Sequence, residues 1–304
     1  MSAPVISFEE GEAVLDWIAL TDALAAGHDL PKAEVADSFL YRGDDTLLTR
    51  SAWIDGLGVA IKAATIFPGN PAKGLGTVNG AMSLLSDADG QLEAMIDFHL
   101  VTKWKTAADS LLAARRLAPP EVKCILIVGA GTVAASLREA YAAAFPDAEF
   151  LIWNRTTEKA EALAADYDAT RAVTDLPAAV AQADIVTCGT SGGVPVLKGE
   201  WLRPGQHVDL IGAFKPGMRE ADDTALSRAR LFVDSRDTTI GHIGEIDLPL
   251  ESGAITKDDI LADYYQLDAF QRAPDDLTLF KNGGGAHLDL MTARHILTAW
   301  TARA

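Results

Sequence analysis

A chain of 304 residues, 49% hydrophobic and 23% charged, can bury one large core or two without disulfide or metal support. Its formal charge of -17 works against nucleic acid or an anionic membrane as partner, and obliges any anionic ligand to find a local cationic pocket. The two cysteines show no metal-type spacing, the acidic N-terminal stretch lacks the basic flank of a signal peptide, and no apolar run approaches the roughly 18 residues of a membrane helix; a cytoplasmic enzyme without a metal is the expectation.

Residues 12–27 carry helical spacing and stop at Gly27. Residues 46–51, 57–67, 77–86 and 91–97 read as successive strands, separated by turns at Pro68-Gly69-Asn70 and Asp87-Ala88-Asp89-Gly90. The second of these strands, within "GLGVAIKAATIFPGN", is apolar and β-branched except for Lys62. Either that lysine snorkels its ammonium off an edge strand, or it is buried for a chemical purpose. An Ala-rich helix over about 102–117 follows and is stopped by Pro119-Pro120.

Beyond it the pattern changes. Residues 123–128 (KCILIV) form the continuous apolar run of a parallel strand covered on both faces. Further strands over 149–153, 185–188, 206–211 and 231–233 alternate with helices over 133–144 and 157–166, and a last helix spans 286–303 after Gly283-Gly284-Gly285. This alternation predicts a parallel α/β domain. Between its first strand and helix stands Gly129-Ala130-Gly131-Thr132-Val133-Ala134, a G-x-G-x-x-A turn. The first glycine permits the tight turn, the second lets backbone approach a pyrophosphate, and small Ala134 lets helix and strand pack closely. Phosphate oxygens would meet the free N–H groups of Thr132 and Val133 at the helix start.

The second strand ends at Asn154, Arg155 and Thr156. No acid stands there to take a ribose 2′-hydroxyl, whereas Arg155 and Thr156 suit a 2′-phosphate. NADP is weakly favoured and NAD stays open. Thr190 and Ser191, after the strand over 185–188, are placed to border the nicotinamide or its ribose.

The stretches "GVAIKAATIFPGN", "VTKWKTAADSLLAARRLA", "IVGAGTVA", "IWNRTTEKAEALA", "HVDLIGAFKPGMREAD" and "LFKNGGGAHLDL" together resemble the ornithine cyclodeaminase/mu-crystallin family, in family order over nearly the whole chain. The resemblance implies a Rossmann dinucleotide-binding domain at 118–278. A mixed α/β substrate-binding and dimerisation domain is expected from 1–117 with 279–304. It also implies a homodimer, a nicotinamide cofactor and a small anionic imino or amino acid substrate. Lys62 falls on the family's active-site lysine. Arg42 aligns with an arginine that holds the substrate carboxylate, and Lys105 stands where the family has a second one. Lys281 matches a loop near the cofactor. Phe214 replaces the aspartate that serves ring closure in cyclodeaminases, so that activity is expected to be absent or poor.

Arg50 adds a further cation near the substrate strand, with Lys103 or Lys215 as additional ones. That set suggests a dicarboxylic imine, iminosuccinate reduced to aspartate, unless Arg50 faces solvent or pairs with Asp44, Asp45 or Asp55. The alternatives are reduction of Δ1-pyrroline-2-carboxylate or another cyclic ketimine, ornithine cyclodeamination, and a non-catalytic binding protein of mu-crystallin type.

Overall fold

Strand β1 (Val5–Ile6) and helix α1 (Phe8–Glu12) lead into α2 (Trp17–His28) in the computed structural model, which describes residues 3–303. The single helix expected over 12–27 is two. Ser7 caps α1 through a reciprocal box with Glu10, and the Asp16 carboxylate restarts the chain by accepting from Ala19 N at 2.8 Å. Then come β2 (Glu34–Arg42), β3 (Asp45–Ile54), β4 (Gly58–Ile66), β5 (Val78–Leu85), β6 (Leu92–Asp97) and α3 (Phe98–Leu117). Strand β2 has no counterpart among the expected strands. All nine of its residues are exposed, so no apolar alternation marks it.

The first sheet runs β1-β6-β5-β4-β3-β2, antiparallel except for β1 on β6. Along β4 the even positions Ala60, Lys62 and Ala64 are buried, while Val59, Ile61 and Ala63 are not. The buried face is covered by α10 (Ala286–Arg303), the last helix of the chain, which in turn packs against α2.

The second sheet contains β7 (Cys124–Val128), β8 (Glu149–Trp153), β9 (Thr170–Val173), β10 (Ile185–Cys188), β11 (His207–Leu210), β12 (Arg230–Val233), β13 (Ile260–Ala262) and β14 (Thr278–Lys281). Interleaved helices are α4 (Thr132–Ala144), α5 (Thr157–Ala165), α6 (Leu176–Gln182), α7 (Asp223–Arg228), α8 (Arg236–Thr239) and α9 (Gly244–Ser252). All eight strands are parallel, in the order β13-β12-β14-β11-β10-β7-β8-β9. This is a Rossmann-type doubly wound sheet. The order reverses between β7 and β10, and ligands of such sheets bind beyond the carboxyl ends of the strands at that point.

Two compact units result. One holds the residues up to Lys105 with those from Gly285 onward, and the other is Thr106–Gly284. The divisions fall inside α3 and just before α10, against expected boundaries at 117 and 279. Among the described residues, no helix is long and apolar enough to cross a membrane, and no group of three or more His, Cys, Asp or Glu side chains is arranged to hold a metal ion.

Candidate active site

Lys62 sits mid-strand on β4, directly across from Arg50 on β3 and Met82 on β5. Its Nζ donates to Asp289 Oδ1 at 2.8 Å, with only 8% and 2% of the two side chains exposed. It also lies 4.8 Å from the centre of the Phe98 ring. The snorkelling alternative is thereby excluded: the ammonium points into the interior. Asp289 comes from the first turn of α10, where the helix dipole favours a negative charge. Its second oxygen, Oδ2, is buried without a hydrogen-bond partner among the described residues.

The electrostatics report a local excess of positive charge. Burial pushes the Lys62 ammonium below the usual lysine range; Asp289 opposes this, while Lys105 and Arg50 add to it. Burial alone would push the Asp289 carboxyl up, yet Lys62, Lys105 and Arg50 together hold it below the usual carboxylate range. Burial, with His28, Lys105 and Arg50, pushes His287 well below the usual histidine range, so that ring is neutral. Such a site attracts an anion.

The other expected substrate residues divide. Lys105 is buried on α3 and contributes to the field at Lys62 and Asp289. Arg50 Nε lies 3.1 Å from both oxygens of Asp37, and Nη2 lies 3.0 Å from Oδ2. The partner is therefore Asp37, directly opposite on β2, and not Asp44, Asp45 or Asp55. Arg42 is a correction. Its register partner is Asp45, to which it is bridged at 2.9 Å, and strand alternation puts this pair on the sheet face opposite to Lys62. Lys103 pairs with Glu12 at 2.5 Å. In the second unit, Phe214 is 63% exposed on the loop after β11, and its ring stacks under Lys215 Nζ at 5.4 Å.

At the carboxyl end of β7 the glycine turn fits a dinucleotide. Gly129 has φ +123°, and a Cβ there would stand 2.9 Å from the Gly189 carbonyl oxygen. Gly131 is extended, and a Cβ on it would meet nothing within 4 Å. The protein's own packing does not require glycine at 131; the space suits a phosphate. No side chain caps α4, which leaves the amides around Thr132 and Val133 to an anionic ligand. Ala134 is fully buried against the sheet, as the motif demands. Asn154 Nδ2 donates to the Thr156 carbonyl at 2.9 Å, with Arg155 exposed between them. Thr190 and Ser191 follow β10 at the switch point.

Lys281 is a second correction. It has no exposed surface, and its Nζ donates to the Leu210 carbonyl at 2.9 Å beside Glu220 and Glu245. It is an internal counter-charge of the second unit, with no atom available to a cofactor.

Sequence reasoning missed Asp289 and Glu220. For Asp289 a signal existed: in "GAHLDLMTA" an acid interrupts an apolar helix start, as Lys62 interrupts an apolar strand. Two buried opposite charges far apart in sequence are natural partners.

Comparison with known proteins identifies the relatives of the chain. The chain is 52% identical to Δ1-pyrroline-2-carboxylate reductase of Paracoccus denitrificans, over 97% of this chain and 96% of that one. The fold matches Thermococcus litoralis Δ1-pyrroline-2-carboxylate reductase, solved with NADH and L-proline, at TM-score 0.89 and 23% identity over 98% of each chain. It equally matches the iminosuccinate reductase of Paracoccus denitrificans, solved with NAD+, at TM-score 0.88 and 23% identity, over 98% of this chain and 96% of that one. The family model for the ornithine cyclodeaminase/mu-crystallin family matches residues 51–303, and the chain belongs to that family.

Proposed function

We propose that the protein is an NAD(P)H-dependent imine reductase whose substrate is the cyclic imino acid Δ1-pyrroline-2-carboxylate, reduced to proline. The observation that carries the substrate is the 52% identity, over nearly the full length of both chains, to a reductase of that name. Likeness of fold does not separate the candidates, since the iminosuccinate reductase is as close in shape as the pyrroline-2-carboxylate reductase. The site itself leans the same way. Asp37 already neutralises Arg50 along its Nε–Nη2 edge, which weakens the pull of that guanidinium on a second substrate carboxylate. One carboxylate suffices to use Lys105.

The chemistry adds a hydride to the C=N carbon and a proton to the nitrogen. When bound along the Gly129–Ala134 turn, the reduced nicotinamide supplies the hydride. Lys62 holds the proton for the nitrogen. Asp289 keeps that proton in place against the cost of burial, because its charge favours the ammonium form. Lys105 and the surrounding positive field draw in the substrate carboxylate and hold the imine in register.

The discriminating assay is oxidation of NADH and of NADPH with Δ1-pyrroline-2-carboxylate and, separately, with oxaloacetate plus ammonia as the source of iminosuccinate. kcat/KM is expected to favour the cyclic imine by about tenfold or more, the discrimination typical of a pocket built for one shape. Preference for iminosuccinate would reverse the assignment. Tight NAD(P)H binding without turnover of either would make the protein a binding protein.

The homodimer belongs to the same proposal. On the sheet face turned away from α10, Trp53 and Ile61 are exposed at 51% and 40%, and Leu40 on the β2 edge at 66%. A second copy is the natural cover for such a patch. Light scattering should return twice the chain mass, and the monomer mass would remove this part of the reading.

A further inference from the structure

The second unit contains a buried carboxylate that the proposed chemistry does not use. Glu220 lies in the segment leading into α7, with no exposed surface. Its Oε1 accepts from Thr190 N at 2.6 Å and from the Thr190 hydroxyl at 2.9 Å; its Oε2 accepts from Gly212 N at 2.6 Å. Thr190 and Gly212 are the second residues beyond β10 and β11. One carboxylate thus clamps together the two strand ends that flank the switch-point side of the sheet. The two ends are close: a Cβ on Gly212 would stand 1.8 Å from the Thr190 carbonyl oxygen. Gly189, the neighbour of Thr190, is in turn the residue against which Gly129 turns.

Glu220 is itself held. Its N–H and that of Ala221 donate to the two oxygens of Glu245, at 2.7 and 3.1 Å. Its carbonyl accepts from Val196 and Leu197, both at 2.8 Å. A group buried this fully, bonded at both oxygens and fixed by a second acid, is costly unless it serves a purpose.

We propose that Glu220 is a positioning residue for the cofactor: by joining the Thr190 and Gly212 amides it sets the wall against which the nicotinamide ring lies. This rests on the reading that the crevice at Gly129 binds NAD(P). The ADP-ribose part is held elsewhere, at the glycine turn and at Asn154–Thr156, so it responds to loss of the clamp differently from the nicotinamide ring. Glutamine cannot replace glutamate here. Its single acceptor oxygen serves one amide, and its NH2 then faces the N–H of the other.

The groups facing Glu220 also fix a pH response. Burial pushes its carboxyl up to about 7; Lys281 on β14 opposes this and Glu245 on α9 adds to it, with the Thr190 hydrogen bonds opposing. Arg219 acts on Glu245, and the buried Cys188 thiol lies in the same field. Ionisation strengthens both ends of the clamp, because hydrogen bonds to a charged acceptor are the stronger kind.

The test measures dissociation constants for NADH and for ADP-ribose, which lacks the nicotinamide, in the wild type and in Glu220→Gln. Losing one charge-assisted hydrogen bond should weaken NADH about tenfold or more, with ADP-ribose nearly unchanged. Equal loss of both ligands, or no loss of either, would overturn the proposal. Wild-type protein that binds neither NADH nor NADPH would instead overturn the cofactor reading. Should the variant fail to fold, the wild type decides: the ratio of NADH to ADP-ribose affinity should rise as pH rises through about 7, and a flat ratio overturns the proposal.

Discussion

Lys62→Met is expected to lose imine reduction by about 10²–10⁴-fold in kcat, the usual contribution of a positioned proton donor, while NADH still binds with wild-type affinity. The product nitrogen carries a proton that the imine lacks, and Lys62 is the cationic side chain ion-paired directly to the Asp289 carboxylate. Methionine keeps most of the length and apolar bulk of the lysine stem and removes the ammonium. It also leaves Asp289 buried and without its counter-charge, which costs about 3–5 kcal/mol for a pair of this kind. Stability and catalysis must therefore be read apart. Lys62→Met with Asp289→Leu removes both charges and should recover much of the lost melting temperature without recovering turnover. Measured kcat within about fivefold of wild type in the single variant, well short of the proton-donor range, would end the assignment of Lys62 as the proton source.

Much of this architecture was legible in the sequence, and the exceptions have physical causes. The run 123–128 and the G-x-G-x-x-A turn announced β7, its glycine turn and α4, because a strand covered on both faces and a turn at positive φ leave few residue choices. Strands β9 and β13 are the two edges of the second sheet and are not buried throughout, so they lack the continuous apolar run of a strand covered on both faces. Strand β2 is held by its ladder with β3, so its sequence carries no pattern of its own. In the site, Lys62 stood out as a charge in an apolar run. Arg42 misled for a reason that sequence cannot supply: a strand residue's face depends on register, and the pairing Asp37 to Arg50 fixes the opposite face for position 42. Lys281 resembled a cofactor ligand by position, but its charge is answered from inside by Glu220 and Glu245, which lie 61 and 36 positions away in the chain.

Asp289→Asn should move the alkaline limb of the pH–rate profile to lower pH. If the protonated form of Lys62 is required, activity falls as pH rises through its pKa. Burial already holds that pKa below 10.5, and Asp289 is the group that raises it. Removing the carboxylate's charge leaves burial, Lys105 and Arg50 unopposed, so the proton leaves earlier. Stability gives an independent sign. Lys62 has a folded pKa below its unfolded value, so burying it costs nothing extra above the unfolded pKa, and the cost builds as pH falls from the unfolded value to the folded one and is complete below it. In wild type Asp289 offsets that cost, and its own lowered pKa makes the offset present above pH 3.8 and lost as pH falls through the folded value. Asp289→Asn lacks the offset at every pH. Its melting-temperature deficit against wild type should accordingly be large below the folded pKa of Lys62 and shrink as pH rises through that pKa, above which Lys62 is buried uncharged in both proteins. A merely structural role for Asp289 would lower the melting temperature by the same amount throughout and leave the alkaline limb where it was. Calorimetry and initial rates on the same two proteins across pH separate the two cases, and an unmoved limb would detach Asp289 from the proton on Lys62.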